Sequence, residues 1–193
     1  MSVAAGGLPV DVVEQGLQRF RMSWEEFLAL QVEGKAEWVD GEVVVSPPAN
    51  VGHGEITAEL VFAIKSALPD LRVGTDIGVW LPRNRLRGPD LMGVPATAPR
   101  GTGFLEDVPI FVVEILSPST RSEDLLRKGT EYAAAGIASY WVVDPQGRSI
   151  EVFTNVEGTW EPSLRLDDEH PAGDVTIADH GVVPLDLRSV LGD

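Results

Sequence analysis

Two carboxylates occupy positions in this sequence where apolar side chains are expected. Glu114 interrupts the apolar run Ile110–Leu116, and Asp90 follows Gly88-Pro89 at the start of another apolar segment. A buried carboxylate costs several kcal/mol of desolvation unless it is paired or bound to a cation. Hard divalent cations favour one or two carboxylates together with water and phosphate oxygens. The two acids therefore predict a Mg²⁺ site at the end of a central strand, while an ion pair with an arginine is the alternative for Glu114.

A lysine on the following helix can reach the same place. Asp124, Lys128 and Tyr132 are spaced i, i+4 and i+8, so they share one helix face. On a solvated face, Lys128 would form only a surface pair with Asp124, worth about 0.3–0.5 kcal/mol. If the face points at the two acids, its ammonium would hold the attacking hydroxide or the scissile phosphate.

The apolar periodicity around these residues predicts an α/β fold. The first predicted elements are a helix from the capping box Ser23–Glu26, a hairpin at 37–45 around Asp40-Gly41, a helix at 52–68, and strands at 71–81, 88–94 and 110–116. A helix from a second capping box at Thr120–Glu123 to Ala135 follows. Strands are then predicted at 139–144, 149–154, 159–166 and 174–177, and a short amphipathic turn near Leu185–Leu191. This order predicts a mixed β-sheet flanked by α-helices, with a βαβ crossover from 110 to 144.

Length and composition are typical of one globular domain. We predict a flexible lead-in at 1–20 and a single domain at 21–193 that ends in an acidic extension. The absence of cysteine excludes disulfides and thiolate metal sites. No uncharged apolar run approaches the roughly 20 residues of a membrane-spanning helix. These features predict a soluble cytoplasmic protein.

The charge distribution bears on binding to a polyanion. A net charge of −15 opposes contact with phosphates. Residues 65–128, however, carry nine basic and eight acidic side chains, or +1, so the remaining residues carry −16. The local field matters more than the net charge when a substrate approaches a cleft.

Six ordered landmarks give the sequence a recognisable pattern. They are Glu37-Trp-Val-Asp-Gly-Glu42, His53, Pro89-Asp90, Val113-Glu-Ile-Leu-Ser-Pro-Ser-Thr120, the trio Asp124, Lys128 and Tyr132, and Gly136 followed by Tyr140-Trp-Val-Val-Asp144-Pro145. Over about residues 24–155 the chain resembles the Uma-two family, a group of restriction-endonuclease-like proteins in the PD-(D/E)XK nuclease superfamily. Several landmarks in order are far more specific than any one of them.

The resemblance implies a restriction-endonuclease-like fold and a role for each matching residue. Asp90 and Glu114 would be the acidic residues that bind Mg²⁺, or Mn²⁺ as a substitute, with the backbone carbonyl near Ile115 as a further ligand. The superfamily lysine is missing, because the chain reads Glu114-Ile115-Leu116. The resemblance implies that Lys128 replaces it. Further implied site residues are Glu37 as an acidic ligand or water-orienting group, and His53, Tyr132 and Asp124 as pocket residues.

Several of these residues have simpler interpretations. His53 near a helix start could be a cap or a satisfied polar residue, and Glu37 could be a cross-strand partner in the hairpin. The alternating Arg83, Arg85 and Arg87 are compatible with phosphate contacts or with a solvated sheet edge. The pair Tyr140-Trp141 is expected in the core.

The sequence thus predicts a Mg²⁺-dependent endonuclease that hydrolyses phosphodiester bonds in nucleic acid, with DNA as the main substrate. A homodimer is an expectation from the resemblance. One alternative is a catalytically inactive nuclease-fold protein that binds nucleic acid or a protein partner, which the acidic composition and the missing lysine favour. The other is a hydrolase of small phosphate compounds.

Overall fold

A computed structural model gives the fold of residues 12–14, 16–101 and 103–192. The strands are β1 (Val12–Glu14), β2 (Leu17–Arg21), β3 (Lys35–Val39), β4 (Glu42–Ser46), β5 (Leu71–Thr75), β6 (Val79–Leu81), β7 (Arg85–Arg87), β8 (Leu91–Pro95), β9 (Phe111–Ile115), β10 (Ser139–Asp144), β11 (Ser149–Val156), β12 (Thr159–Leu166), β13 (Ala172–Ile177) and β14 (Gly181–Asp186). The helices are α1 (Trp24–Leu28), α2 (Val51–Ala67), a π-helix (Glu123–Lys128) that continues into α3 (Gly129–Ala134), and α4 (Leu187–Leu191). None of the helices in the described ranges is long and apolar enough to cross a membrane.

The strands of the described residues form two six-stranded sheets and one hairpin. The first sheet is antiparallel, with the order β1-β2-β4-β3-β7-β6. The second has the order β12-β11-β10-β9-β8-β5, and only its β9–β10 pair is parallel among the described strands. The helix at 121–134 connects this pair, so the predicted βαβ unit and the predicted mixed sheet with flanking helices are confirmed.

The central strand β9 is covered on both faces, which explains its continuous apolar run. Phe111, Val113 and Ile115 belong to the core that also contains the apolar face of α2. Val112 and Leu116 belong to a second core, which contains Tyr132 and Tyr140. Because side chains alternate along a strand, Glu114 faces the same side as Val112 and Leu116.

The acidic C-terminal segment is part of the main core, and so it is not an appended extension. The hairpin β13–β14 and the helix α4 contribute the buried residues Val175, Ile177, Val183, Leu185, Leu187 and Val190. The predicted strand at 174–177 corresponds to β13, and the predicted turn near 185–191 contains α4. Strand β14 was missing from the prediction because it contains Pro184, and a proline argues against a strand in sequence-based prediction.

The predicted lead-in at 1–20 needs a correction at its end. Residues 1–11 and 15 lie outside the described residues. Strand β2, however, pairs with β4, and Leu17 and Phe20 are only 2% and 4% exposed. The packed fold therefore begins before residue 21, because these two side chains bury apolar surface against the first sheet.

The Ser23 capping box and the Asp40-Gly41 turn form as predicted. The Ser23 hydroxyl accepts from the Glu26 amide, and Glu26 accepts from the Ser23 amide in return. Asp40 and Gly41 have φ values of 51° and 86°, as a two-residue hairpin turn requires.

The predicted strand at 71–81 divides into β5 and β6, and the predicted strand at 88–94 corresponds to β8, while β7 lies between the two predicted ranges. Asp76 has a φ of 52°, and the chain leaves the second sheet after β5 at this point. It then forms the β6–β7 hairpin in the first sheet and returns as β8. The short segment 88–90 therefore joins the two sheets, and Asp90 lies at the end of this connection.

The second predicted capping box does not form. The carboxylate of Glu123 pairs with Arg19 and Arg87 in place of a backbone amide. Residues 123–128 adopt a π-helix, in which the amide of Gly129 donates to the carbonyl of Asp124. Buried ion pairs thus override the local capping signal, and π-helical turns often occur at functional sites.

The close contact between β8 and β9 gives a testable prediction about packing. A Cβ atom at Gly93 would lie 2.0 Å from Cε1 of Phe111, whereas one at Gly54 in α2 would have no neighbour within 4 Å. We expect Gly93→Ala to lower the free energy of unfolding by about 1–3 kcal/mol through overpacking. The control Gly54→Ala should raise it by about 0.5–1 kcal/mol through backbone entropy. Urea unfolding measures both, and a Gly93→Ala variant as stable as the parent would contradict this packing.

Candidate active site

Strand register places the two predicted metal-binding acids side by side. Leu91 pairs with Val113 and Met92 with Val112 in the antiparallel ladder of β8 and β9. Continuing the register by one residue places Asp90 opposite Glu114. Side chains at directly opposite positions share a face and lie about 4.5–5.5 Å apart at Cβ. The pairing of these strands therefore brings the two carboxylates together.

Asp90 is held by a backbone amide and by positive charge. Its Oδ2 accepts from the amide of Ile115 at 2.8 Å, and its Oδ1 lies 2.7 Å from Nζ of Lys35 and 3.5 Å from Nε2 of His53. Burial acts to raise the pKa of Asp90. The positive charges of Lys35 and Lys128 outweigh burial and hold this pKa below its ordinary value. Asp90 is therefore an oriented carboxylate whose surroundings favour its ionised form.

Glu114 is more deeply buried, with 1% of its surface exposed. Nζ of Lys128 lies 3.2 Å from each of its oxygens, and the hydroxyl of Tyr132 donates to Oε1 at 2.7 Å. Burial raises the pKa of Glu114 well above its ordinary value. Lys128 opposes this rise, and the negative charges of Asp124 and Asp90 add to it.

Lys128 is the centre of a group of carboxylates from three elements. Its Nζ lies 3.0 Å from Oδ1 of Asp124, 3.2 Å from Oε1 of Glu37 and 3.2 Å from Oε1 of Glu114. Burial acts to lower the pKa of this ammonium, but the three acids raise it well above its ordinary value. The predicted face of Asp124, Lys128 and Tyr132 thus points at Glu114. The alternative of a solvated Lys128 is wrong, because the residue is 4% exposed.

Arg87 is fully buried beside this group. Its guanidinium binds Oε2 of Glu37 at 2.9 Å, Oε1 of Glu123 at 2.9 Å and Oε2 of Glu131 at 2.6 Å. The two interpretations of Arg87 from the sequence, a phosphate contact or a solvated edge, are therefore both wrong. A strand of three residues gave no periodic signal that its last side chain faces inward.

Glu37 connects the two positive centres. Its Oε1 accepts from the amide of Gly88 at 2.8 Å, and its opposite neighbour on β4 is Val44, so it is not a cross-strand charge partner. Burial acts to raise the pKa of Glu37, but the positive charges of Lys128 and Arg87 lower it to about 2.

Lys35 is a site residue that the sequence analysis missed. Its Nζ lies 2.7 Å from Oδ1 of Asp90, 2.8 Å from Oδ1 of Asp76 and 2.9 Å from the carbonyl oxygen of Gly88. Burial acts to lower the pKa of Lys35, but Asp90 and other acids raise it. One signal was available: Lys35 and Glu37 are two residues apart on β3, so both project from the same face.

These residues surround a cavity of about 640 Å³. The predicted site residues that line it are Asp90, Glu114, Ile115, Asp124, Lys128 and His53, and Lys35 and Asn50 join them. Asn50 caps α2 by accepting from the His53 amide, so His53 is not itself the cap. Tyr132 is 0% exposed and supports Glu114 from behind, which corrects its prediction as a pocket-lining residue. Glu37 lies in the same outer layer, since it too is absent from the cavity wall.

Two carboxylates of the kind that hard divalent cations bind, those of Asp90 and Glu114, line the cavity. Within the described ranges, no three His, Asp or Glu side chains form a complete ligand set. Two carboxylates with backbone, water and phosphate oxygens are the arrangement typical of Mg²⁺. The pKa values of Glu114 and Asp124 are both raised, first by burial and in part by neighbouring acids. A cation at this position would favour the ionised form of both acids. Asp90, Glu114 and the backbone at Ile115 are the residues that would hold it.

A family model described as "Putative restriction endonuclease" (Uma2, the Uma-two family) matches residues 24–181, which include every candidate site residue. The chain belongs to the Uma2 family. Similarity to this family, identified from the sequence landmarks, is thus confirmed. No curated protein matches this chain significantly.

A solved structure also resembles this Uma2-family chain. It is the crystal structure of a "putative nuclease belonging to DUF820" from Anabaena variabilis, with 19% sequence identity and a TM-score of 0.73. The match covers 88% of this chain and 97% of the other. This likeness confirms the nuclease-like fold class.

The opposite pKa shifts of Glu37 and Glu114 predict opposite effects on stability. A lowered folded-state pKa contributes stability that is present above the ordinary value of 4.5 and is lost as pH falls towards about 2. A raised pKa contributes stability that is present below 4.5 and is lost as pH rises. At pH 7 we expect Glu37→Gln to cost about 3–5 kcal/mol, since it breaks a buried ion pair. Glu114→Gln should instead raise the free energy of unfolding, because it removes a carboxylate whose ionised form burial disfavours.

Urea unfolding between pH 3 and pH 8 measures both effects. The Glu37→Gln variant should also lose less stability than the parent on acidification below about pH 4.5. If the two substitutions destabilise the protein equally at pH 7, the environments of Glu37 and Glu114 do not shift their pKa values in opposite directions. That result would contradict the network described above.

Proposed function

We propose that this Uma2-family protein is a metal-dependent endonuclease that hydrolyses phosphodiester bonds in nucleic acid, with DNA as its main substrate. The family and the solved neighbour support a nuclease-type function. The observation that carries the proposal is the convergence of Asp90 and Glu114 on one cavity, with two ammonium groups beside them. Mg²⁺, or Mn²⁺ in its place, is the proposed cofactor.

The chain's own residues prepare this site for a cation and a phosphate. The Ile115 amide fixes one oxygen of Asp90, while Lys128 and Tyr132 fix the carboxylate of Glu114. A bound divalent cation would lower the pKa of a water molecule and would polarise the phosphoryl oxygen. An ammonium group in the cavity would stabilise negative charge as it develops on the phosphate. His53 lies at the rim of the same cavity and is available to orient water or substrate.

Cleavage assays with metal-ligand variants test the proposal. We expect the protein to cut supercoiled or linear DNA in Mg²⁺ or Mn²⁺, with single-stranded DNA and RNA as parallel substrates. Asp90→Asn and Glu114→Gln should each lower the cleavage rate at least about 100-fold, and both should weaken Mn²⁺ binding in calorimetry. The control Asp168→Asn removes an exposed carboxylate outside the cavity and should change neither.

Other outcomes would support the alternative functions. A protein that binds DNA but cuts none of these substrates in either metal would be a binding protein with a nuclease fold. Faster hydrolysis of small phosphate esters than of DNA would point to a small-molecule hydrolase. Sedimentation with and without DNA tests the predicted homodimer, which would allow both strands of a duplex to be cut.

A further inference from the structure

The two lysines of the cavity differ in how their ammonium groups are used. An ammonium has three donors. Those of Lys128 face carboxylates from three elements, Glu37, Glu114 and Asp124, and the side chain is 6% exposed. The donors of Lys35 face one carbonyl and two aspartates, and its side chain is 24% exposed. Lys35 is therefore the more accessible of the two lysines to a substrate in the cavity.

We propose that Lys35 is the catalytic lysine that contacts the scissile phosphate, and that Lys128 positions Glu114. This assignment rests on the proposed nuclease function. It gives the role that the sequence analysis predicted for Lys128 to a residue from the first sheet.

The partners of Lys128 argue that it stays in place. Moving its ammonium towards a substrate would leave Glu37, Glu114 and Asp124 without their shared cation in a buried site. Burial already acts to raise the pKa of all three acids. Leaving a buried charge without its partner is strongly unfavourable. Lys128 is thus a fixed structural cation that orients the proposed metal ligand.

The partners of Lys35 argue that it is released when the site is occupied. Its main anionic partner is Asp90, which is also a proposed metal ligand. If Asp90 held a cation, its charge would be shared, and repulsion between the two cations would disfavour the ammonium at Oδ1. The other acid, Asp76, has a side chain that is 59% exposed and holds a lysine only weakly. A phosphate oxygen in the cavity is then the stronger partner for Lys35.

Strand β9 does not supply the missing lysine itself. The position two residues after Glu114 is Leu116, which is 6% exposed and packs in the second core. The ammonium must therefore come from another element, and β3 delivers it across the cavity from the first sheet.

Gly88 fixes the course of the Lys35 stem. Its carbonyl accepts from the ammonium, and a Cβ atom on Gly88 would lie 3.2 Å from Cδ of Lys35. This contact is tight, so Gly88→Ala should shift the lysine stem without changing any charge. The variant tests the position of Lys35 separately from its charge.

The experiment compares Lys35→Met and Lys35→Arg with Lys65→Met. Lys65 is a matched control, because its ammonium also binds backbone carbonyls, at Pro69 and Leu71, but lies outside the cavity. Three readouts are single-turnover DNA cleavage at saturating Mn²⁺, Mn²⁺ affinity by calorimetry, and the salt dependence of DNA affinity with Ca²⁺ as the metal.

We expect Lys35→Met to lower the cleavage rate by about 100- to 1000-fold and to bind Mn²⁺ at least as tightly as the parent. Its slope of log affinity against log salt should fall by about one, as expected for one lost phosphate contact. Lys35→Arg should restore part of the rate, because it keeps the charge but alters the geometry. Lys65→Met should match the parent in all three readouts.

Several results would overturn the assignment. The first is a cleavage rate of Lys35→Met within about threefold of the parent. The second is a loss of Mn²⁺ binding together with cleavage, because Lys35 would then only position Asp90. If Lys35→Met does not fold, a folded Gly88→Ala variant whose cleavage rate equals that of the parent overturns the assignment. A parent protein that cuts no substrate overturns the proposed function, and an unchanged salt slope in Lys35→Met would then reject the phosphate contact as well.

Discussion

Buried positive charge at Lys128 and Arg87 holds the two sheets together around the site. Between them, these two residues contact acids from β3, β9, the π-helix and α3. A buried charge without a partner is strongly destabilising, so each of these elements must keep its place relative to the others. The geometry of the cavity therefore follows from the requirement that every buried charge be paired. The positions of its carboxylates depend on two cations that are almost completely buried.

The same network gives neighbouring acids different environments. Glu37, which contacts both cations and a backbone amide, has its pKa lowered to about 2, whereas burial raises the pKa of Glu114 well above its ordinary value. Titratable groups whose environments separate their pKa values mark sites of acid–base or metal chemistry. Glu37 stabilises the fold. Glu114 is costly to keep ionised even beside Lys128, and such costs are typical of functional residues.

The sequence predicted the parts of the site that carry a local pattern. Glu114 was found because it interrupts an apolar strand, and Asp90 because it begins the strand beside it. Lys35 and Arg87 were missed or misinterpreted because inward-facing charges on short strands look like surface residues when their partners are distant in sequence. The π-helix was not predictable for the same reason, since ion pairs of Glu123 with Arg19 and Arg87 replace the local cap. Local pattern thus predicted the mixed sheet. Long-range pairing of charges determined the positions of Lys35 and Arg87 and the π-helix.

A crystal structure grown with Mn²⁺ and recorded at a wavelength with Mn anomalous scattering tests the central claim most directly. We expect an anomalous peak in the cavity between the second sheet and the π-helix, in contact with a carboxylate oxygen of Asp90 and one of Glu114. Lys128 should keep its contacts with Glu37 and Asp124 in that structure. A peak elsewhere, such as at the exposed acids Asp167–Glu169, with none at Asp90 and Glu114 at a saturating Mn²⁺ concentration, would contradict the account.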